Sequence, residues 1–364
     1  MRRILSFTIV FIFPLGFVLS FQTPQTARPL PIRDSAELIN LAEGVYADIV
    51  SPDGNAVGNS GVIVLDRGVL VFDTHFTPEA GQTLAGKIRA LTSKPIQYVV
   101  YSHFHPDHTH GTQSLPGTLQ IIGSTLSRSE ILQKDVAVLN RSMAAAQTQL
   151  ERMRQALDDE KDPIAKRRLR TQVNSRQEFF DRMSRQRVLA PIINLDDSLL
   201  LLDGKRQIQI RYLGKGHTDG DLILYLPAEK IVFLGDLFFN AAIPNVQDAT
   251  LLAWIKTLEA ALSLDADRFV PGHGAVGSRE ELRTFIKYLE DLRGWIEPAV
   301  ARGDGLDQVI HSIQIPREYS SYGFQNFFPA NVQKMYEELK AQQHEIEAAQ
   351  AEAEKKLKKQ NPRP

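Results

Sequence analysis

Between Leu38 and Phe72 the apolar positions come in short bursts separated by turn residues: Val45 to Val50, the turn Pro52-Asp53-Gly54-Asn55, Gly61 to Leu65, and Val69 to Phe72. Bursts of this length predict strands, and the Asp66-Arg67-Gly68 break predicts a hairpin joining the last two. Pro78 to Leu91 has helical spacing, Ile96 to Tyr101 reads as a buried strand, and Leu119 to Gly123 as another. The period then changes. Leu132, Val136, Leu139, Met143, Ala146, Leu150, Met153 and Leu157 recur in alternating steps of four and three, the seam of a coiled coil. Such a helix is roughly 39 Å long at about 1.5 Å per residue. Asp158 to Pro163 supplies a turn with a capping aspartate and Pro at the first helical position. A second helix follows to about Val188, with Leu169, Val173, Phe180 and Met183 facing inward. Residues 126–190 are therefore expected to form an antiparallel helical hairpin inserted into the main domain, serving as a lid, a dimer contact or a solvated projection.

Strand patterning returns over Pro191 to Leu202 and Ile208 to Leu213, then Leu222 to Leu226 and the nearly all-apolar Ile231 to Asp236. Asp248 to Leu262 has the pattern of an amphipathic helix, Arg268 to His273 that of a last short strand, and Glu280 to Ala301 is helical. From Asn331 a helix carrying Val332, Tyr336 and Leu339 fades into Gln, Ala, Glu and Lys, which predicts a partly solvated end. The alternation of strands and helices places the chain in the α/β class. The expected organisation is a main domain over 38–300 and a C-terminal extension over 301–364.

With 364 residues, 43% of them hydrophobic, there is room for a large core and an appendage. The formal net charge of −1 gives no electrostatic case for nucleic acid. Met1-Arg2-Arg3, an apolar run from Ile4 to Phe21 and then polar residues read as a signal peptide over 1–20, followed by a Pro- and Thr-rich linker over 21–37. That start predicts export, periplasmic or secreted, with no lasting membrane association once cleaved; the alternative is an N-terminal membrane anchor. The chain has no cysteine, which removes disulfides, thiolate ligands and a lipid-attachment site.

The candidate chemistry sits in H-F-H-P-D-H-T-H-G at 103–111. In extended chain His103 and His105 point the same way and can grip one cation, while Asp107 and His108 lie past a turn started by Pro106. Imidazole and carboxylate together suit a borderline divalent metal, zinc foremost. Asp73, Asp236 and His273 stand at the ends of separate apolar strands, and His217 lies on a Gly-flanked loop. An open sheet collects such ends along one rim. His103, His105, Asp107, His108, His217, Asp236 and His273 thus suffice for two metals sharing a carboxylate.

The order H-x-H-x-D-H, G-H-T-x-G-D, L-G-D and P-G-H-G, with V-F-D-T upstream, resembles the metallo-β-lactamase-fold hydrolase superfamily. The resemblance implies an αββα sandwich, here with an inserted helical hairpin and a C-terminal helix, and the metals at one edge. It further implies that His103, His105 and His217 hold one ion and that Asp107, His108 and His273 hold the other. Asp236 would bridge them and Asp73 would orient a ligand from behind. The expected cofactor is two zinc ions per chain, with iron or manganese as alternatives. His110 replaces a glycine common at that place and is expected behind a ligand or near substrate.

The bridging Asp236 resembles the glyoxalase-like and quinoprotein-associated members. The expected activity is cleavage of an ester, thioester, lactone or amide in a small-molecule substrate, with Asp107 catalytic. Alternatives are β-lactam hydrolysis, a mononuclear iron persulfide dioxygenase, and an inert scaffold whose hairpin binds a partner; separately, the hairpin is a candidate homodimer contact. Phosphodiesters are disfavoured because no basic cluster adjoins the motifs. Substrate-binding residues are not fixed by the sequence; His75, Asn240, Tyr322 and Phe324 are candidates.

Overall fold

The computed structural model describes residues 36–51 and 57–360. The signal-like start, nearly all of the linker and the Pro52 to Asn55 turn fall outside these residues. Two sheets face one another. The first is built from β1 Ala36–Ala42, β2 Val45–Val50, β3 Ser60–Val64, β4 Val69–Phe72, β5 Ile96–Val100, β6 Gln120–Ser124 and β7 Ile193–Leu195, paired in chain order. β1 to β4 run antiparallel, and β4 to β7 run parallel. The second contains β8 Ser198–Asp203, β9 Arg206–Tyr212, β10 Leu222–Leu226, β11 Ile231–Phe239 and β12 Arg268–His273, in the order β12-β11-β10-β9-β8.

The strand-patterned stretch from Pro191 to Leu202 is divided: Asp196 and Asp197 carry the chain from the edge of one sheet to the edge of the other. Between the sheets Leu70, Phe72, Val100, Ile122, Ile210, Leu224 and Phe233 form one apolar layer, with Phe72 and Phe233 tilted against each other at 5.8 Å. Nine consecutive residues of β11 are buried, because this strand is covered on both faces and needs no polar alternation.

Helix α1, Pro78–Leu91, covers the outer face of the first sheet with Leu84, Ala85 and Ile88. α2, Pro106–Thr109, is the single turn inside the histidine loop. α3, Thr125–Glu130, leads through a π-turn, Ile131–Asp135, into α4, Val136–Asp159, which pairs with α5, Pro163–Ser184. Ala146 and Leu150 are buried where these two helices meet, as is Val173, with Leu139, Met143, Leu169 and Phe180 half-buried; the Met183 side chain lies outside the described set. Leu132 breaks the expected seam and is exposed. The wider π-turn rotates the phase of the helix, so positions before Val136 no longer share its apolar stripe.

The second sheet's outer face is covered by α6, Leu251–Leu262, α7, Arg279–Arg302, and the start of α9, Phe328–Gln360, with α8, Leu306–Ser312, beside it. α7 opens on a Ser278/Glu281 capping box and ends at Gly303 in the left-handed region. The sheets and their helices make the α/β sandwich anticipated from the motifs.

Candidate metal centre

Strand ends and the loops that follow them place every residue of the site on one rim. Asp73 follows β4, the 103–108 loop follows β5, His217 precedes β10, Asp236 lies in β11 and His273 ends β12. Main-chain bonds hold this rim together across the sandwich. Leu222 N donates to Ser102 O at 2.7 Å, and Asn59 N donates to Gly272 O at 2.8 Å. Asn59 Nδ2 also donates to Pro271 O and Gly274 O, so one buried amide fixes the His273 loop to the opposite sheet. Gly272 has a steric task, since a Cβ there would lie 1.9 Å from Asp236 Oδ1.

Two groups of ligand atoms result, each with its atoms within 4.8 Å of one another: His103, His105, His217 and Asp236, and Asp107, His108 and His273. Asp236 faces both. Its Oδ2 lies 3.2 Å from His217 Nε2 and 3.8 Å from His103 Nε2, and its Oδ1 lies 3.1 Å from His108 Nε2 and 3.3 Å from His273 Nε2. His273 Nε2 is also 3.3 Å from Asp107 Oδ2, and His217 Nε2 is 2.9 Å from His105 Nδ1. The widely spaced motifs converge, as the one-rim argument requires.

The atoms behind the ligands show which faces are aimed inward. His108 Nδ1 is 2.9 Å from Asp73 Oδ2, while Asp73 Oδ1 accepts from Ser102 N at 2.7 Å. His103 Nδ1 meets Ser102 Oγ at 2.8 Å, and His105 Nε2 meets Asp248 Oδ2 at 3.2 Å. By contrast, His103 Nε2, His108 Nε2, His217 Nδ1 and Asp236 Oδ1 are buried and make no well-formed hydrogen bond, although His108 Nε2 and Asp236 Oδ1 lie 3.1 Å apart as an ion pair. Buried polar atoms are normally satisfied. His108 Nε2 and His103 Nε2 both face the Asp236 carboxylate, at 3.1 Å and 3.8 Å; a divalent ion on each side would satisfy these atoms, and the donor set of imidazole and carboxylate fits such ions.

The electrostatics divide the site. Burial, reinforced by neighbouring histidines, drives His103 well below the ordinary histidine value and His217 down to about 3. Burial also opposes charge on His108 and His273, but the surrounding carboxylates outweigh it: His108 is held well above its ordinary value and His273 rises to about 9. Burial works against ionised Asp107 and Asp236 too. Their histidine neighbours prevail and keep both well below the usual carboxylate range. Asp248, against burial, is lowered by His105 and Lys134.

A model of the family described as the metallo-beta-lactamase superfamily matches residues 53–128 and 136–273. The chain belongs to this superfamily. Among curated relatives it is 23% identical over 282 residues to a linear primary-alkylsulfatase of Pseudomonas sp. (strain ATCC 19151), covering 72% of this chain and 51% of that protein. It is 22% identical over 271 residues to a type 2 metallo-beta-lactamase of Bacillus cereus, covering 71% and 86%. A solved metallo-beta-lactamase from Pontibacter korlensis superposes with a TM-score of 0.50 at 18% identity, covering 70% of this chain and 99% of that one; this is a likeness of fold. The chain spans little more than half the length of the alkylsulfatase and of a 2,4-dinitroanisole O-demethylase subunit it also matches. The narrower likeness to glyoxalase-like and quinoprotein-associated members has no counterpart among these relatives and rests on the motifs alone.

The remaining expectations fall out unevenly. His110 is buried away from both groups, its Nε2 2.9 Å from Asp135 Oδ2 and its ring stacked on Phe76. His75 is also buried, bonded to Gly58 O and Asp48, and Asn240 is spent on Ala275 O. Phe324 is different: its φ of 57° is strained for a phenylalanine, the residue is 42% exposed, and its ring stands edge-on to that of His273 at 5.7 Å. Asp248, Lys134, Asp135 and Asn59 were not anticipated. Asp248 reads in sequence as the start of an amphipathic helix, yet α6 begins at Leu251, which leaves Asp248 in the preceding loop to meet His105.

Proposed function

We propose that the chain is a metal-dependent hydrolase holding two divalent ions, zinc foremost, one by His103, His105 and His217 and one by Asp107, His108 and His273, with Asp236 between them. The observation that carries this is the convergence of seven buried or half-buried imidazole and carboxylate groups into two clusters, with the Asp236 carboxylate facing both. Bound there, such ions supply hydroxide at neutral pH and an electrophilic pull on the scissile group. The chain's own residues do the rest. Asp73 and Ser102 fix the rings of His108 and His103 from behind. Asp107, 22% exposed at its side chain, is the carboxylate of the site most open to solvent, and so the group placed to orient the attacking oxygen and pass a proton to the leaving group. Phe324 provides an apolar wall beside His273 for the substrate's organic part.

The substrate class is an ester, thioester, lactone or amide of a small molecule, and the alkylsulfatase likeness adds sulfate esters to it. Resemblance to type 2 metallo-beta-lactamases supports β-lactam hydrolysis as the second reading. The signal-like first 20 residues support export. The test is turnover by zinc-loaded protein of a panel of thioester, lactone, alkyl sulfate and cephalosporin substrates, with His105→Ala as control. Hydrolysis abolished by His105→Ala supports the proposal; turnover unaffected by it refutes it. Oxygen uptake with a persulfide and iron in the purified protein would favour the oxygenase instead.

A further inference from the structure

The root of the inserted hairpin is built onto the metal loop from two sides. Lys134 and Asp135 are neighbours in the π-turn, and they reach different flanks of the H-x-H-x-D-H segment. Lys134 Nζ bonds Asp248 Oδ1 at 3.1 Å, and Asp248 Oδ2 meets His105 Nε2 at 3.2 Å. The same ammonium bonds Glu130 at 2.7 Å and lies 5.3 Å from the centre of the Phe104 ring, next to His105 in the chain. On the other flank the buried Asp135 carboxylate meets His110 Nε2 at 2.9 Å. The returning chain adds three contacts: Gln186 Nε2 to His110 O at 3.2 Å, Arg187 N to Gln113 Oε1 at 3.0 Å, and Leu189 O accepting from Tyr101 Oη at 3.1 Å.

The chemistry at His105 makes this arrangement consequential. His105 presents Nδ1 to His217 and the first ligand group. To ligate through Nδ1, its ring must carry the proton on Nε2, and that N–H must donate to an acceptor. Asp248 is that acceptor, and Lys134 holds it from its other oxygen. A carboxylate behind a ligating imidazole fixes both tautomer and orientation, and losing it typically costs 10- to 100-fold in metal affinity.

We infer that the hairpin insertion is a positioning device for the first metal subsite, acting through Lys134 and Asp248 on His105. This rests on the functional reading above only in that the His103, His105 and His217 group holds an ion. Lys134 and Asp248 are positioning residues with no contact to the reacting atoms.

The test uses the full chain loaded with cobalt(II), whose absorption spectrum reports ligand geometry, and zinc affinity measured by chelator competition. Asp248→Ala is expected to weaken one of two bound ions by roughly 10- to 100-fold and leave the other unchanged. Lys134→Met, which keeps the length of the side chain and removes its ammonium, should weaken the same ion by a smaller factor and shift the cobalt spectrum, and Lys134→Arg should restore both. Lys134→Met added to Asp248→Ala should cost nothing further. Wild-type affinity and spectrum in either single variant would overturn the inference, as would equal weakening of both ions, which marks general loosening. A wild type that takes up no metal would overturn the functional reading itself, and this inference with it.

Discussion

Replacing Asp73 by alanine should damage stability and metal binding together, and the size of each effect follows from its contacts. The carboxylate is 1% exposed and serves two buried donors, Ser102 N at 2.7 Å and His108 Nδ1 at 2.9 Å. Each donor left unsatisfied costs about 1–3 kcal/mol, or roughly 2–6 together. Alanine also fits the backbone worse, because Asp73 has a φ of 58°, a region that aspartate tolerates better. Against this, burial raises the pKa of Asp73, so removing the carboxylate recovers part of a desolvation cost. The expected net loss is about 2–4 kcal/mol in metal-free protein, read from urea unfolding at pH 7 with an unchanged slope. Zinc affinity of the second subsite should fall about 10- to 100-fold, since His108 loses the group that aims it. Asp73→Asn keeps an acceptor for Ser102 N but cannot serve both donors, so it should cost less stability while still weakening zinc. Stability within about 0.5 kcal/mol of wild type for Asp73→Ala would refute the reasoning.

Other outcomes follow from the same geometry. At pH 7 the metal-free His108 and His273, with His273 at about 9, carry protons that a metal must displace, whereas His103 and His217 are already neutral. Filling the second subsite should therefore release protons from both His108 and His273, the His273 share falling as pH rises through about 9, while His103 and His217 release none; calorimetry in buffers of different ionisation enthalpy reads the difference. Asp107→Asn should lower kcat on the order of 10²- to 10⁴-fold with little change in KM, measured on protein of checked metal content. Phe233→Ala, emptying the layer between the sheets, should cost about 3–5 kcal/mol by denaturant unfolding.

The ligands were legible in the sequence because each sits at or just past an apolar run or in a glycine-flanked loop, where local pattern and chemistry coincide. Asp73, Asp236 and His273 end apolar runs in the sequence, which argues for one rim, although β11 itself continues past Asp236 to Phe239. Asp248 was hidden for the opposite reason: with Ala249, Thr250 and Leu251 it reads as the first turn of an amphipathic helix, and only the fold shows that α6 starts later. Lys134 and Asp135 fall within the seam pattern of a long helix, and heptad reasoning has no means of seeing a π-turn. The division of 191–202 between two sheets was equally invisible, because both edge strands share one apolar pattern and only the partners differ. His110 drew attention by its place among ligands, and tertiary contact with Asp135 took it elsewhere.

The central claim is that residues from four distant motifs share a pair of ions, and metal content tests it most directly. Protein purified without chelator and loaded with zinc should hold about two ions per chain, and His217→Ala, altering one subsite, should hold about one. Zero ions in the wild type, or two still held at unchanged affinity by His217→Ala, would contradict the account.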